Sequence, residues 1–363
     1  MTLRVGVIGC GGIGTKKHLP ALAQIEEVEI VALCDIIVER AVDAKKEFGT
    51  ADTEVFADYQ EMLDKVDLDV VHVCTPNSSH AELSIAALEA DCHVMCEKPM
   101  AKTAKEARAM VEAAKRTGKK LTIGYQNRFR TDSQHLHKIV EDGGLGDIYF
   151  AKAHAIRRRA VPTWGVFLDE EAQGGGPLID IGTHALDLTL WLMNNYKPKF
   201  VVGNAYHKLA EHKNSANAWG PWDPSKFTVE DSAFGYVVME NGASIFLEAS
   251  WALNTLDVKE AKTTLMGDKA GADMNNGLTI NGEEYGLMYE KEVNLTTGGV
   301  DFYEGMENDP ELIEARQWID AILNDTTPVV LPEQALVVTE ILEAIYESSK
   351  TGKPVYFNGE GEA

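Results

Sequence analysis

The sequence predicts an α/β protein in two parts, one over residues 1–125 and a larger α+β part over 126–363. Three observations carry this. Strand-like runs alternate with amphipathic helical stretches through the first 125 residues, the pattern of a mainly parallel sheet covered on both faces. The first strand runs directly into Gly9-Cys10-Gly11-Gly12-Ile13-Gly14. From about residue 146 the pattern changes to strands with antiparallel turns, as at Asn241-Gly242.

A length of 363 residues gives each part room for its own core, and 45% apolar with 25% charged residues is ordinary for a globular chain. With 57 acidic against 34 basic residues the net charge is −23, which argues against nucleic acid or an anionic membrane surface as partner. No apolar run approaches the ~18–20 residues of a membrane span. The strand-like Leu3–Gly9 begins so early that no signal peptide fits before it, so the chain reads as cytoplasmic. The Asn-x-Ser/Thr matches at Asn77, Asn294 and Asn324 are then chance. Cys10, Cys34, Cys74, Cys92 and Cys96 read as buried reduced thiols. No Cys-x-x-Cys or Cys/His spacing supports a metal.

Strands in the first part read as 3–9, 29–34, 69–74, 93–97 and 120–124. A lone Gly-x-Gly-x-x-Gly is weak. This one follows a strand, opens a helical pattern and has Asp35 about twenty residues on, at the end of the second strand. That context is dinucleotide-binding: Gly9, Gly11, Gly12, Ile13 and Gly14 permit the tight turn and bring a pyrophosphate close to a helix N-terminus. Asp35 would accept hydrogen bonds from the adenosine ribose hydroxyls and repel a 2′-phosphate. Ile36-Ile37 supply no arginine to hold one, so NAD is favoured over NADP.

In such a sheet ligands lie outside the carboxyl ends of the strands. Three sequences sit there: Thr75-Pro76-Asn77-Ser78-Ser79-His80, Glu97-Lys98-Pro99 and Gly124-Tyr125-Gln126-Asn127-Arg128-Phe129. They make Thr75, Asn77, His80, Glu97, Lys98 and Gln126 candidates for the cofactor, and Lys98 and Asn127 candidates for the substrate. Lys98 follows an apolar strand, which places its ammonium at the cleft floor rather than in open water.

The second part is organised around Gly174 to Asp187. Read as a helix, this stretch sets Asp180, His184 and Asp187 at i, i+4 and i+7 on one stripe. Leu178, Ile181, Ala185, Leu188 and Leu192 fall on one flank; Ile179, Leu186, Leu190 and Met193 fall on the other. A helix apolar on both flanks is buried, so its ionisable stripe is either internally paired or faces a cleft. The three glycines before it imply backbone held close to something else. A histidine with carboxylates one turn either side can move a proton near neutral pH.

Taken in order, the glycine fingerprint, acidic strand end, Thr-Pro-Asn-x-x-His, Glu-Lys-Pro, Gly-Tyr-Gln-Asn-Arg-Phe and Gly-Gly-Gly-x-x-x-Asp-x-Gly-x-His-x-x-Asp resemble the glucose–fructose oxidoreductase / inositol dehydrogenase family. The resemblance covers essentially the whole chain and is best over 1–130 and 170–190. It implies a Rossmann domain followed by an α+β domain with a large, open, mostly antiparallel sheet. It also implies NAD(P)-dependent oxidation or reduction at a hydroxyl or ketone of a sugar, cyclitol or related polyol. Lys98, Asp180 and His184 match the family's catalytic lysine, aspartate and histidine. A cis peptide before Pro99, and a homodimer or homotetramer formed through the C-terminal sheet, follow from the same resemblance.

Elsewhere in the second part, Tyr149–Ile156 and Phe200–Tyr206 read as strands, and Ala233–Met239 with Ala243–Trp251 as a hairpin across Asn241-Gly242. A second hairpin is expected to turn at Asn281-Gly282, and helices close the chain at about 310–324 and 332–350. Two irregular segments shape the substrate site. In the first, Arg157 is a candidate for polar substrate groups and Trp164 for stacking on a sugar ring; local pairing or a subunit contact stands as the alternative at even odds. The second, His207 to Thr228, carries Trp219 and Trp222 and has the length of a lid or interaction arm.

The resulting mechanism places the nicotinamide of NAD at the interdomain cleft. His184 acts as general base on the substrate hydroxyl, Asp180 orients His184 or binds that hydroxyl, and Lys98 stabilises the developing alkoxide. Asp187 is the alternative carboxylate. Two other functions compete: NAD-assisted glycoside cleavage through a transient keto-sugar, and a non-catalytic nucleotide sensor. Intact Lys98, Asp180 and His184 argue against the sensor.

Overall fold

The computed structural model describes residues 2–295 and 309–357, which pack as two units. One comprises the described chain up to Gln126 together with Asp309–Leu336; the other comprises the rest. Among the described residues no helix is long and apolar enough to cross a membrane.

The first unit holds strands β1 (Leu3–Ile8), β2 (Val28–Cys34), β3 (Glu54–Phe56), β4 (Val70–Val73), β5 (His93–Cys96) and β6 (Leu121–Ile123). They form one parallel sheet in the order β3-β2-β1-β4-β5-β6, the dinucleotide-binding arrangement with its reversal of direction beside β1. Helices cover both faces, which is why Val5, Val7, Val70, Val71 and Val73 are all buried and the strands read as unbroken apolar runs. The expected strands are present, and β3 is an addition: three residues at the sheet edge are too short to make a legible run. The helix Ala104–Thr117 starts at a capping box between Thr103 and Glu106 and stops at left-handed Gly118.

A division by position in the chain does not capture one feature of the packing. The helix Pro310–Leu323 belongs to this first unit, where Leu312, Ala315, Trp318 and Ile319 join one core cluster with Leu3, Val5, Leu19 and Leu22.

The second unit holds β7 (Ile148–Ile156), β8 (Pro198–Tyr206), β9 (Ser232–Met239), β10 (Ser244–Ser250), β11 (Lys259–Gly267), β12 (Ala270–Asp273), β13 (Thr279–Glu284), β14 (Leu287–Glu292) and β15 (Val355–Tyr356). Their order is β14-β13-β12-β11-β7-β10-β9-β8-β15, antiparallel at every pairing except β7 with β10. The Asn241-Gly242 hairpin joins β9 to β10 as expected.

The hairpin expected at Asn281-Gly282 does not form. Both residues lie inside β13, paired on one side with β12 and on the other with β14. The turn falls instead at Tyr285-Gly286, both with positive φ as a two-residue hairpin turn needs. Gly282 serves a different purpose: a Cβ there would lie 2.7 Å from the Tyr289 hydroxyl.

Two helices share one face of this sheet. A Cβ on Gly203 or Gly235 would lie 2.8 or 2.5 Å from Ile345 of the closing helix, and one on Gly182 would lie 3.1 Å from Ala249. Gly203, Gly235, Leu247 and Ala249 lie on the same side by their cross-strand pairing and by alternation along β10. On the opposite side the register aligns Val202, Tyr236 and Phe246, all exposed.

Candidate active site

In the first unit the glycine loop divides into tight and open positions. A Cβ on Gly9 would stand 2.5 Å from the Cys74 carbonyl oxygen, and one on Gly14 would stand 2.2 Å from the Gly9 carbonyl oxygen. Gly11 and Gly12 have nothing within 4 Å. Two glycines close the turn, therefore, and two leave its outer side bare, as the close approach of a pyrophosphate requires. Asp35 accepts from the Cys10 backbone N–H at 2.9 Å and from the Ile37 N–H at 2.8 Å, which ties the loop to the end of β2. Ile13, Ile36 and Ile37 around it are exposed. These residues fit the adenosine half of a dinucleotide.

At the next strand ends, Thr75 and Asn77 are half-buried, with the Ser79 hydroxyl donating to Thr75 at 2.7 Å. His80 departs from the role expected of it. Its ring is fully buried, with Nδ1 2.8 Å from the Pro99 carbonyl and Nε2 2.8 Å from the Thr75 carbonyl. Both nitrogens are turned to backbone, so His80 braces two loops rather than facing a cofactor. The Lys98–Pro99 peptide is cis.

Glu97 is likewise buried. Its Oε1 receives Lys17 Nζ at 2.6 Å and His18 Nε2 at 2.9 Å, while Oε2 accepts the Lys98 backbone N–H at 3.0 Å. Lys17 also meets Glu314 at 3.0 Å and Gln126 Oε1 at 3.2 Å. His18 Nδ1 lies 2.9 Å from His72 Nδ1. Burial pushes both histidines below their usual pKa. With His18 donating Nε2–H to Glu97, its bare Nδ1 accepts from His72. Half-buried Lys98 therefore rises from a loop whose backbone is held by a buried charge cluster.

In the second unit the expected helix is present with a wider first turn: Leu178–Gly182 winds as a π-turn before the α-helix Thr183–Met193. The three glycines do mark close approach. Gly174 has φ +82°; a Cβ on Gly175 would stand 2.1 Å from the Tyr346 hydroxyl, and one on Gly176 would stand 2.3 Å from the Glu230 carbonyl oxygen. Glu230 is the anchor: its carboxylate accepts from Gly176 N–H at 2.8 Å, Leu178 N–H at 3.0 Å and the Tyr346 hydroxyl at 2.9 Å. Burial pushes its pKa up to about 7 in spite of those bonds.

Over residues 177–192, Asp180 and His184 alone escape full burial. The Trp251 indole N–H donates to Asp180 Oδ2 at 3.0 Å. Asp187, one stripe with them on paper, is fully buried and takes two bonds from Arg128, at 2.9 Å from Nε and 2.5 Å from Nη2. Asn127 is half-buried on the turn Gln126–Phe129. Arg157 is paired with Glu260, and Trp164 is exposed beside Trp219.

Residues 3–125 match a family described as "Oxidoreductase family, NAD-binding Rossmann fold", and residues 137–357 match its "C-terminal alpha/beta domain". The chain belongs to the Gfo/Idh/MocA oxidoreductase family. D-glucoside 3-dehydrogenase of Escherichia coli is 37% identical over 355 residues, covering 97% of each chain. The scyllo-inositol 2-dehydrogenase (NADP(+)) IolW of Bacillus subtilis is 31% identical over 216 residues, 59% of this chain and 57% of that one. Among solved structures, levoglucosan dehydrogenase in complex with NADH and levoglucosan superposes with a TM-score of 0.82 at 22% identity, covering 99% of this chain and 100% of that one. That last likeness bears on the fold. These members of the Gfo/Idh/MocA family are named for dehydrogenation, not for glycoside cleavage.

Lys17, His18, His72, Glu314, Arg128 and Glu230 were not singled out from sequence. Each acts on a partner distant in the chain; Lys17 and His18 stand just past the glycine loop and Arg128 lies inside the Gly124–Phe129 run, but no local pattern announces the buried ion pairs they form.

Proposed function

We propose that this chain is an NAD-dependent dehydrogenase that acts on a hydroxyl, or in reverse on the ketone, of a sugar, cyclitol or related polyol. Solvent access confined to an acid and a base one turn apart, on a helix buried at every other position from 177 to 192, is the observation that carries it. NAD, when bound, supplies the hydride acceptor. Gly11 and Gly12 leave room for the pyrophosphate, and Asp35 serves the ribose hydroxyls and disfavours a 2′-phosphate. His184 takes the hydroxyl proton. Asp180, steadied by the Trp251 indole, orients His184 or the hydroxyl, and Lys98 stabilises the negative charge growing on oxygen. The names of the Escherichia coli and Bacillus subtilis relatives support a sugar or cyclitol hydroxyl.

The test is a panel of cyclitols, aldoses, anhydrosugars and glycosides with NAD and NADP, read by NAD(P)H absorbance. On the substrate it identifies, His184→Ala lowers kcat well over tenfold while NADH binding is retained; an unchanged kcat overturns the role of His184. Asp35→Ala weakens NADH more than NADPH, and a retained preference for NADH would place discrimination elsewhere. We further propose that the exposed Val202–Tyr236–Phe246 row is covered by a second copy of the chain, so that Tyr236→Lys reduces the sedimenting mass.

A further inference from the structure

The two irregular segments of the second unit are tied into one. Asn217 accepts from the Val161 N–H at 2.8 Å and donates to the Val161 carbonyl at 2.9 Å. The Ala218 N–H donates to the Arg159 carbonyl at 3.1 Å, and the Thr163 hydroxyl to the Trp219 carbonyl at 2.9 Å. These bonds hold Trp164 and Trp219 edge to face, centroids 4.9 Å apart, with 51% and 45% of their surfaces exposed. Two large indoles fixed in water form a patch that calls for an occupant.

What lies beside the pair indicates the occupant. A line of rings leads inward from Trp164 to Phe167 at 5.9 Å and on to Trp251 at 6.4 Å, whose indole is bonded to Asp180. Arg157 connects the two ends by another route. Its guanidinium stands 5.6 Å from the centroid of the Trp219 ring, is paired with Glu260, and feels the negative charge of Asp180. Exposed indoles beside a guanidinium–carboxylate pair suit a molecule with an apolar face and a hydroxylated edge. A pyranose has that form.

We propose that Trp164 and Trp219 form a second carbohydrate subsite adjoining Asp180, so that the preferred substrate is a glycoside whose second ring, sugar or aromatic aglycone, lies on these indoles. The position next to the reacting hydroxyl rests on the oxidoreductase reading above; the binding itself does not.

Titration calorimetry of the whole protein with phenyl α- and β-D-glucopyranoside and with D-glucose is the test. The wild type binds one phenyl glucoside at least tenfold more tightly than glucose. Trp219→Ala reduces that ratio at least fivefold, and Trp219→Phe, which keeps a ring, restores most of it. On turnover the ratio of kcat/KM values falls in parallel. Equal affinity for phenyl glucosides and glucose in the wild type, or a ratio untouched by Trp219→Ala, overturns the subsite. So does a Trp219→Ala protein that loses subunits at an unchanged ratio, which would assign the patch to a second copy. Glycoside binding without oxidation would instead overturn the dehydrogenase reading and leave the subsite standing.

Discussion

Two buried ionic arrangements stand next to the proposed catalytic groups, and they are built on opposite plans. In the second unit Arg128 and Asp187 form a closed pair, one guanidinium on one carboxylate, on the helix that carries His184. In the first, one ammonium at Lys17 faces two carboxylates, Glu97 and Glu314, with His18 and His72 alongside, next to Lys98. The pair balances its charge internally. The cluster does not, so one carboxyl is pushed towards its protonated form. Burial disfavours charge on both, but Lys17 and the His18 bond together hold Glu97 well below the usual carboxylate range. Glu314, which lacks the His18 bond, is pushed up to about 7 by burial, with the charge of Glu97 adding to the rise. The closed pair should be indifferent to pH near neutrality, and the cluster should not.

The comparison breaks most visibly at Arg128. Arg128→Met leaves Asp187 buried without a counter-ion and costs ~3–5 kcal/mol of unfolding free energy, much of it recovered in Arg128→Met/Asp187→Leu. Urea denaturation gives a larger loss at pH 8 than at pH 6, because burial already raises the Asp187 pKa and without Arg128 the carboxyl protonates more readily; a loss under about 1 kcal/mol at both would mean water reaches the site. Lys17→Met has a smaller, tilted effect, because Glu97 can take up a proton in its place. We expect about 2–3 kcal/mol at pH 8 and distinctly less at pH 5. A deficit independent of pH would show that Lys17 contributes packing rather than charge.

The smallest effect, and the sharpest in sign, belongs to Glu314→Gln. A carboxyl whose folded pKa lies near 7 contributes stability fully below its unfolded pKa of about 4.5 and loses it as pH rises through 7. The glutamine variant is therefore close to wild type at pH 5 and gains on it by on the order of 1–3 kcal/mol by pH 8. Stability curves that run parallel over that range would refute the assignment of the proton to Glu314. Glu230 titrates in both proteins and cancels from the difference.

What could be read from sequence was local or periodic. The glycine fingerprint, the alternating strands of the first unit and the helix through Asp180 and His184 each announce themselves within a few residues. The three glycines at 174–176 could be read as close approach, but not what they approach: Glu230 and Tyr346 lie far along the chain. Asp187 shared a stripe with His184, and only Arg128, 59 positions earlier, separates a buried ion pair from a site residue. Asn281-Gly282 is a good turn signal overruled by pairing on both sides. His80 matched a motif, yet two carbonyls from different loops claim its ring.

The return of Asp309–Leu336 to the first unit bears on the order in which the protein can be made. A ribosome delivers Leu3, Val5, Leu19 and Leu22 early, but their partners Leu312, Ala315, Trp318 and Ile319 only after nearly all of the second unit has emerged. At ordinary synthesis rates that interval is on the order of ten seconds or more, during which part of the apolar core of the nascent nucleotide-binding unit stays uncovered. A segment translated early is thus among the last to be finished, and a fragment ending at residue 126 would carry the fingerprint for its cofactor without the helix that closes its core.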